Sequence, residues 1–369
     1  MPGAMSHAAP ARVAALRGRM DELALDAVVI SRPAGMRYFA GFRLAPAELA
    51  GHSGTLFVTR DELRILADAR YAEQAEYEAP DWELVRTSEA LEVELTELFA
   101  RDDVLRAGLE GEVMSHGTWS RIVAAAPGTE LHDVDAEVAE LRLVKEPAEI
   151  EAIASACALT DRCFTHLLDF VRSGMTELQV AWELERFFRV NGAEGLAFDS
   201  IVLAGARASL PHGRPGEATV ETGNVLLIDF GCVVDGYRSD MTRTVFIGEP
   251  SDELRSLYTI VREAQQKALE AARPGVIGKA VDAAAREHIG QAGYANAFGH
   301  GVGHGIGLET HEAPLLRHSA EPLRAGMVFS VEPGIYLPGV TGIRIEDIVA
   351  LTAGGPRPLT QSSREIIVI

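Results

Sequence analysis

The stretch GHGVGHGIGLETHEAP, residues 299 to 314, carries three of the chain's eleven histidines on a backbone broken repeatedly by glycine. So much glycine is foreign to a helix, and so much imidazole to a core strand. Imidazoles gathered on such a backbone can act as metal ligands, acid–base groups or hydrogen-bond donors to a developing negative charge. A second stretch, VLLIDFGCVVDGYRSDMTRTVFIG (225 to 248), places two aspartates in apolar company. Asp235-Gly236 is a strong hairpin-turn dipeptide, and a two-residue turn there sets residue 231 opposite residue 240. Asp229 then lies diagonal to Asp240 on one face, roughly 7–8 Å away. Desolvated carboxylates that close need a proton or a cation, although two solvated hairpin aspartates would satisfy the same pattern. Because Asp229 ends the VLLI run, apolar surroundings and a cation are the better fit.

Two glutamates repeat the situation. Glu332 interrupts MVFSVEPGIY and Glu346 interrupts GIRIEDIVAL, both strand-like apolar runs where an unpaired carboxylate costs several kcal/mol. Arg344, on the strand face of Glu346, could be the structural partner of that one acid. Four such carboxylates beside a histidine cluster point instead to a shared charge.

The elements that must position these groups fall into two regimes. Up to residue 143, helix-like and strand-like segments alternate: ARVAALRGRMDELAL, DAVVIS, RYFAGF, GTLFVT, LRILAD, SEALEVELTELFA, VLRAGLEG. That order predicts an α/β domain with helices over a sheet. From 144 to 369 come long helical patterns and then strands, an α+β arrangement. One helix starts at Pro147, a second carries a Thr176/Gln179 capping box and ends at Asn191-Gly192, and a third runs from Ser251 towards Pro274. SIVLAG, VLLIDFG and RTVFIG read as strands.

With 369 residues and 47% hydrophobic composition the chain can build more than one core. A formal charge of −20 excludes a basic footprint for nucleic acid. No apolar run reaches membrane-spanning length, and the first twenty residues lack a signal-peptide pattern. Cys157, Cys163 and Cys232 show no C-x-x-C spacing and read as reduced packing residues of a cytoplasmic protein.

With these motifs in hand, the sequence resembles the pita-bread metallopeptidases, the superfamily of aminopeptidase P, prolidase, methionine aminopeptidase and creatinase. The likeness covers essentially the whole chain and is strongest from 200 to 350. MRYFAGF and ADARYAEQA look like a creatinase-type N-terminal domain, and LPHG, HGVGHGIGLETHEAP, VEPGIY and GIRIEDIV look most like Xaa-Pro peptidases. The resemblance implies a smaller α/β creatinase-type domain over 1–143 and a pita-bread catalytic domain over 144–369. It implies Asp229, Asp240, His304, Glu332 and Glu346 as ligands of two divalent ions, manganese first and cobalt, zinc or iron as alternatives. It further implies a water activated between the ions and Glu332 as proton-handling carboxylate, with His212 and His311 assisting. His212, His300, His311, Arg344 and Tyr336 are the expected substrate-side residues, the glycines allowing close approach to substrate. Arg344 either orients Glu346 or meets a substrate carboxylate. The implied activity is hydrolysis of short peptides with proline second, by a homodimeric Xaa-Pro dipeptidase or, alternatively, aminopeptidase P. A metal-free peptide-binding relative or a creatinase-like amidinohydrolase are further readings, which the intact ligand set opposes.

Overall fold

The computed structural model describes residues 9–44 and 54–369, in two units, Met1–Arg142 and Leu143–Ile369. The first eight residues of the stretch read for a signal peptide lie outside the described ones.

The first unit is built on one mixed sheet of β1 (Ala27–Ile30), β2 (Thr55–Thr59), β3 (Leu63–Ala67), β4 (Glu83–Arg86), β5 (Arg106–Leu109) and β6 (Glu130–Asp133), ordered β4-β3-β2-β1-β5-β6. β1 pairs antiparallel with β2 and parallel with β5, and is buried along its length, so it is written as a continuous apolar run. Helices α1 (Ala9–Leu23), α2 (Pro33–Ala40), α3 (Ala72–Glu78), α4 (Leu91–Arg101), α5 (His116–Ala125) and α6 (Asp135–Leu143) alternate with the strands. Leu95 and Leu98 of α4 and Ile122 of α5 pack on Val29, Phe57 and Leu109 of the sheet. RYFAGF, expected as a strand, is instead largely α2: Pro33 opens the helix, Gly41 closes it, and Tyr38 and Phe39 are buried from it. Helix-end signals outweigh the strand propensity of two aromatics here.

The second unit opens with α7 (Pro147–Phe170) and α8 (Glu177–Val190), each started by a capping box, Glu146 with Glu149 and Thr176 with Gln179. Strands β7 (Gly195–Leu196), β8 (Ile201–Ala204), β9 (Val225–Phe230), β10 (Cys232–Val234), β11 (Tyr237–Arg238) and β12 (Met241–Phe246) follow. A second helix pair, α9 (Asp252–Ala271, capped by Ser251) and α10 (Gly278–Gln291), precedes β13 (His304–Gly305), β14 (Glu312–Leu315), β15 (Val328–Val331), β16 (Gly334–Leu337), β17 (Thr341–Arg344), β18 (Asp347–Thr352) and β19 (Gly355–Pro358). These strands pair antiparallel in the orders β11-β10-β7, β12-β9-β8, β14-β13-β15-β18-β19 and β16-β17. α10 was not legible in the sequence, because it starts at a glycine and its N-cap, Ile277, offers no capping side chain.

β9 explains the apolar run before the first aspartate. Val225 and Leu227 enter a core with α9 and α10, while Leu226, Ile228 and Phe230 enter one with α7 and α8. Both faces are covered, so alternation disappears. Asp229 takes the next place in the row of Val225 and Leu227. The hairpin turns at Asp235 and Gly236 with φ of 50° and 76°, as a two-residue turn of positive φ requires. Val234 pairs with Tyr237 and Phe230 with Met241, one continuous register that sets Gly231 opposite Asp240.

Candidate metal centre

Three of the four acids stand where strands stop. Asp240 lies between β11 and β12, Glu332 between β15 and β16, and Glu346 between β17 and β18; only Asp229 is inside a strand. MVFSVEPGIY and GIRIEDIVAL are therefore two strands each, not one. Pro333 has no N–H for the ladder, and the chain passes at both breaks between the five-stranded sheet and the β16-β17 pair. The carboxylates are thus freed from the alternation of a strand and converge.

Asp240, His304 and Glu346 each offer a ligand atom, and these atoms lie within 4.8 Å of one another. His304 Nε2 is 3.3 Å from Glu332 Oε1 and 3.8 Å from Asp240 Oδ2. His304 Nδ1 donates to the Gly305 carbonyl at 3.0 Å, which turns Nε2 towards the acids. The group is nearly dry: Asp229, Asp240, His304 and Glu346 are all buried. One oxygen of each of Asp229, Asp240 and Glu346 accepts no hydrogen bond. Burial, reinforced by repulsion among the acids, pushes Asp240 and Glu346 well above the usual carboxylate range. Burial acts the same way on Glu332, but the hydrogen bond and charge of His304 outweigh it and hold Glu332 at about 2. His304 is raised: burial opposes its charge, and Glu332 more than compensates. Orphaned carboxylate oxygens in a dry site, beside an imidazole nitrogen, fit hard or borderline divalent cations.

Backbone crowding fixes His304. A Cβ on Gly303 would sit 1.9 Å from the Ser330 carbonyl oxygen, and one on Gly305 2.0 Å from that of Ala313. The close approach at these two glycines is to the protein's own strands. Gly305→Ala is expected to cost about 1–3 kcal/mol of stability, read as a lower urea midpoint; an unchanged midpoint would show that the strand pair yields freely. The His304 amide donates to Ser330 Oγ, which donates at 3.1 Å to Glu332 Oε1.

Arg344 is buried with its guanidinium on Asp229 Oδ2 at 2.5 Å, Tyr336 Oη at 2.6 Å and Thr242 Oγ1 at 2.9 Å. Thr242 faces Asp229 across the β9–β12 pair and donates a hydrogen bond to Glu346 Oε2 at 2.7 Å. Of the two roles expected for Arg344, contact with Glu346 is thus made only through Thr242, and Asp229 is its direct acid. Tyr336 lies between Arg344 and His300: because His300 Nδ1 donates to Gly301 O at 2.8 Å, its Nε2 accepts from the phenol at 2.9 Å. Burial raises the Tyr336 hydroxyl to about 12, so it remains a donor at neutral pH. His311 is exposed, its ring centroid 4.3 Å from that of His304. Burial and neighbouring positive charge lower both His300 and His311, and His212 is close enough to contribute to each. His212 itself is exposed, in the turn after Leu210. Thr242 and Ser330 were not anticipated. The repeated threonine of MTRT, at strand spacing opposite Asp229, was the available signal for the first; Ser330 carried none.

The sequence matches metallopeptidase family M24 over residues 151–353 and the creatinase/prolidase N-terminal domain over residues 12–144. An Xaa-Pro dipeptidase of Pyrococcus furiosus is 36% identical over 356 residues, covering 94% of this chain and 97% of that protein. Among solved structures, an Xaa-Pro dipeptidase from Bacillus anthracis is 37% identical with a TM-score of 0.91, covering 98% of this chain and 100% of that one. An X-Pro aminopeptidase from Thermotoga maritima is 40% identical with a TM-score of 0.85, covering 95% and 100%.

Proposed function

The chain belongs to metallopeptidase family M24, with a pita-bread catalytic domain behind a creatinase-type N-terminal domain, and on that premise we propose that it hydrolyses the Xaa-Pro bond of short peptides as an Xaa-Pro dipeptidase. The observation that carries this reading is the set of orphaned carboxylate oxygens of Asp229, Asp240 and Glu346, gathered near the His304 imidazole. With Glu332, these residues would hold two divalent ions, manganese first. Four carboxylates at about −4 balance that charge. When bound, such ions supply Lewis acidity towards a carbonyl and lower the pKa of water.

The chain's own groups do the rest. Glu332, beside His304, takes the proton of the attacking water and delivers it to the leaving nitrogen. His311 and His212, the exposed imidazoles, donate to the carbonyl oxygen as charge develops there. His300, fixed by Tyr336, lines the proline side. Arg344 holds the Asp229 carboxylate in place, while Thr242 does the same for Glu346. An Xaa-Pro bond lacks an N–H, so a site that contacts its substrate through imidazoles and does not use that donor loses nothing by accepting it.

We draw the domain boundary at residues 143 and 144. We place the protein in the cytoplasm, supported by three free, buried cysteines, and as a homodimer by family expectation. Among the described residues, no helix is long and apolar enough to cross a membrane.

The Thermotoga maritima likeness keeps aminopeptidase P as the second reading. A panel of Ala-Pro, Ala-Pro-Ala and Ala-Ala, run after chelation and readdition of manganese, cobalt, iron or zinc, separates the two. Fastest turnover of Ala-Pro supports the dipeptidase; preference for Ala-Pro-Ala makes the protein an aminopeptidase P. Equal turnover of Ala-Ala would remove the proline specificity altogether.

A further inference from the structure

Glu177 in α8, Asp282 in α10 and Glu312 in β14 come from three different elements, and the side chain of each is buried. Each carboxylate is paired with a base and bonded to backbone beside one of the histidines just described. Glu177 accepts the Ala204 amide at 2.8 Å and the Gly216 amide at 2.9 Å, the two ends of the segment that carries His212. Its partner Arg207, 3.0 Å from both oxygens, donates to the Arg214 carbonyl at 2.6 Å. Asp282 accepts the Val302 amide at 2.9 Å and is gripped by Arg286 at 2.8 and 2.9 Å. Arg286 in turn donates to the carbonyls of His300 at 2.7 Å and Phe298 at 2.8 Å. Glu312 accepts the Glu309 amide and Lys145 Nζ, both at 2.9 Å, so it braces the turn whose last residue is His311. Arg238 adds bonds from the other side, to the carbonyls of Gly307 at 2.9 Å and Leu308 at 3.1 Å.

We propose that these pairs are positioning devices, one for each substrate-side histidine: Glu177–Arg207 for His212, Asp282–Arg286 for His300, and Glu312–Lys145 for His311. The proposal rests on the reading of those histidines as substrate contacts. The physical need is clear. None of the three sits in a regular strand or helix, so no ladder fixes its backbone. A donor useful to a developing oxyanion must be held to a fraction of an ångström. A buried carboxylate has no water to turn to, so its bonds to the neighbouring amides are not exchanged away. Because the acids belong to separate elements, each pair acts on the segment of a different histidine.

The test uses the full chain loaded with zinc, with histidine rings labelled and their signals assigned by single His→Ala variants. Glu177→Gln is expected to displace the ring signals of His212 most, Asp282→Asn those of His300, and Lys145→Met those of His311. Lys145→Arg, which keeps the charge, should restore the His311 signal. If Lys145→Met does not fold, Glu312→Gln replaces it. A variant that moves all three histidines equally, or none, overturns the proposal. In the manganese enzyme, Lys145→Met should lower kcat on Ala-Pro about 10²-fold with unchanged metal content and little change in KM. Added to His311→Ala, it should lower kcat by no more than about twofold further, because the two share one effect. A full further loss in the double variant would show that Lys145 acts elsewhere and overturn the assignment. One-to-one ring shifts in a wild-type protein that does not cleave Ala-Pro would support the positioning and sink only the peptidase reading.

Discussion

Asp240→Ala is expected to abolish divalent-metal retention and peptidase activity together. Asp240 stands at the break between β11 and β12, in the same small cluster as His304 and Glu346, and Glu346, Asp229 and Glu332 all repel its charge. In its ionised form such a carboxylate is tolerable only when positive charge is shared across the group. Removing it deletes a donor from the middle of the set. The fall in kcat/KM should exceed the ~10²–10³-fold loss that follows removal of a single oxyanion donor. Asp240→Asn, nearly isosteric, should behave alike and show that charge, not volume, is responsible. Metal analysis beside an Ala-Pro assay checks this, and a variant with full metal and full turnover would contradict it.

His311→Ala should divide those two properties. The ring lies 4.3 Å from that of His304, yet it is exposed where the acids are buried, and no bond ties it to a carboxylate of the cluster. Partial burial and the proximity of His304 lower its pKa, so it is neutral and can donate one N–H at physiological pH. The variant should keep its metal and lose about 10²–10³-fold in kcat, with KM little changed because the bond strengthens as charge develops. Loss of metal in this variant would make His311 a ligand and overturn the division of roles.

Much of this site could be read from the residue pattern. The hairpin turn at Asp235-Gly236 has one favoured geometry, so the register that relates Asp229 to Asp240 followed from local chemistry. Pro147, the Thr176/Gln179 capping box and Ser251 likewise marked helix starts through local chemistry. What failed was long-range. Beyond Pro333, nothing local announces the breaks at Glu332 and Glu346, because at both the chain changes sheet partner. The role of Arg344 was left between two options for the same reason: Asp229, its partner, lies 115 residues away in sequence. α2 was misread because two aromatics favour strands on average, while Pro33 and the burial of Tyr38 and Phe39 decide this case. α10, with its Asp282–Arg286 pair holding the His300 segment, was missed for want of a capping side chain.

The most direct test is the metal content of the purified chain after exhaustive chelation, reloading with manganese and dialysis. About two ions per chain, both released at low pH and both lost in Asp240→Ala, is the expected result, since four converging carboxylates neutralise two divalent charges. A chain that retains no divalent ion while remaining folded would mean that the buried acids are kept neutral by protons alone, and the hydrolase account would fail.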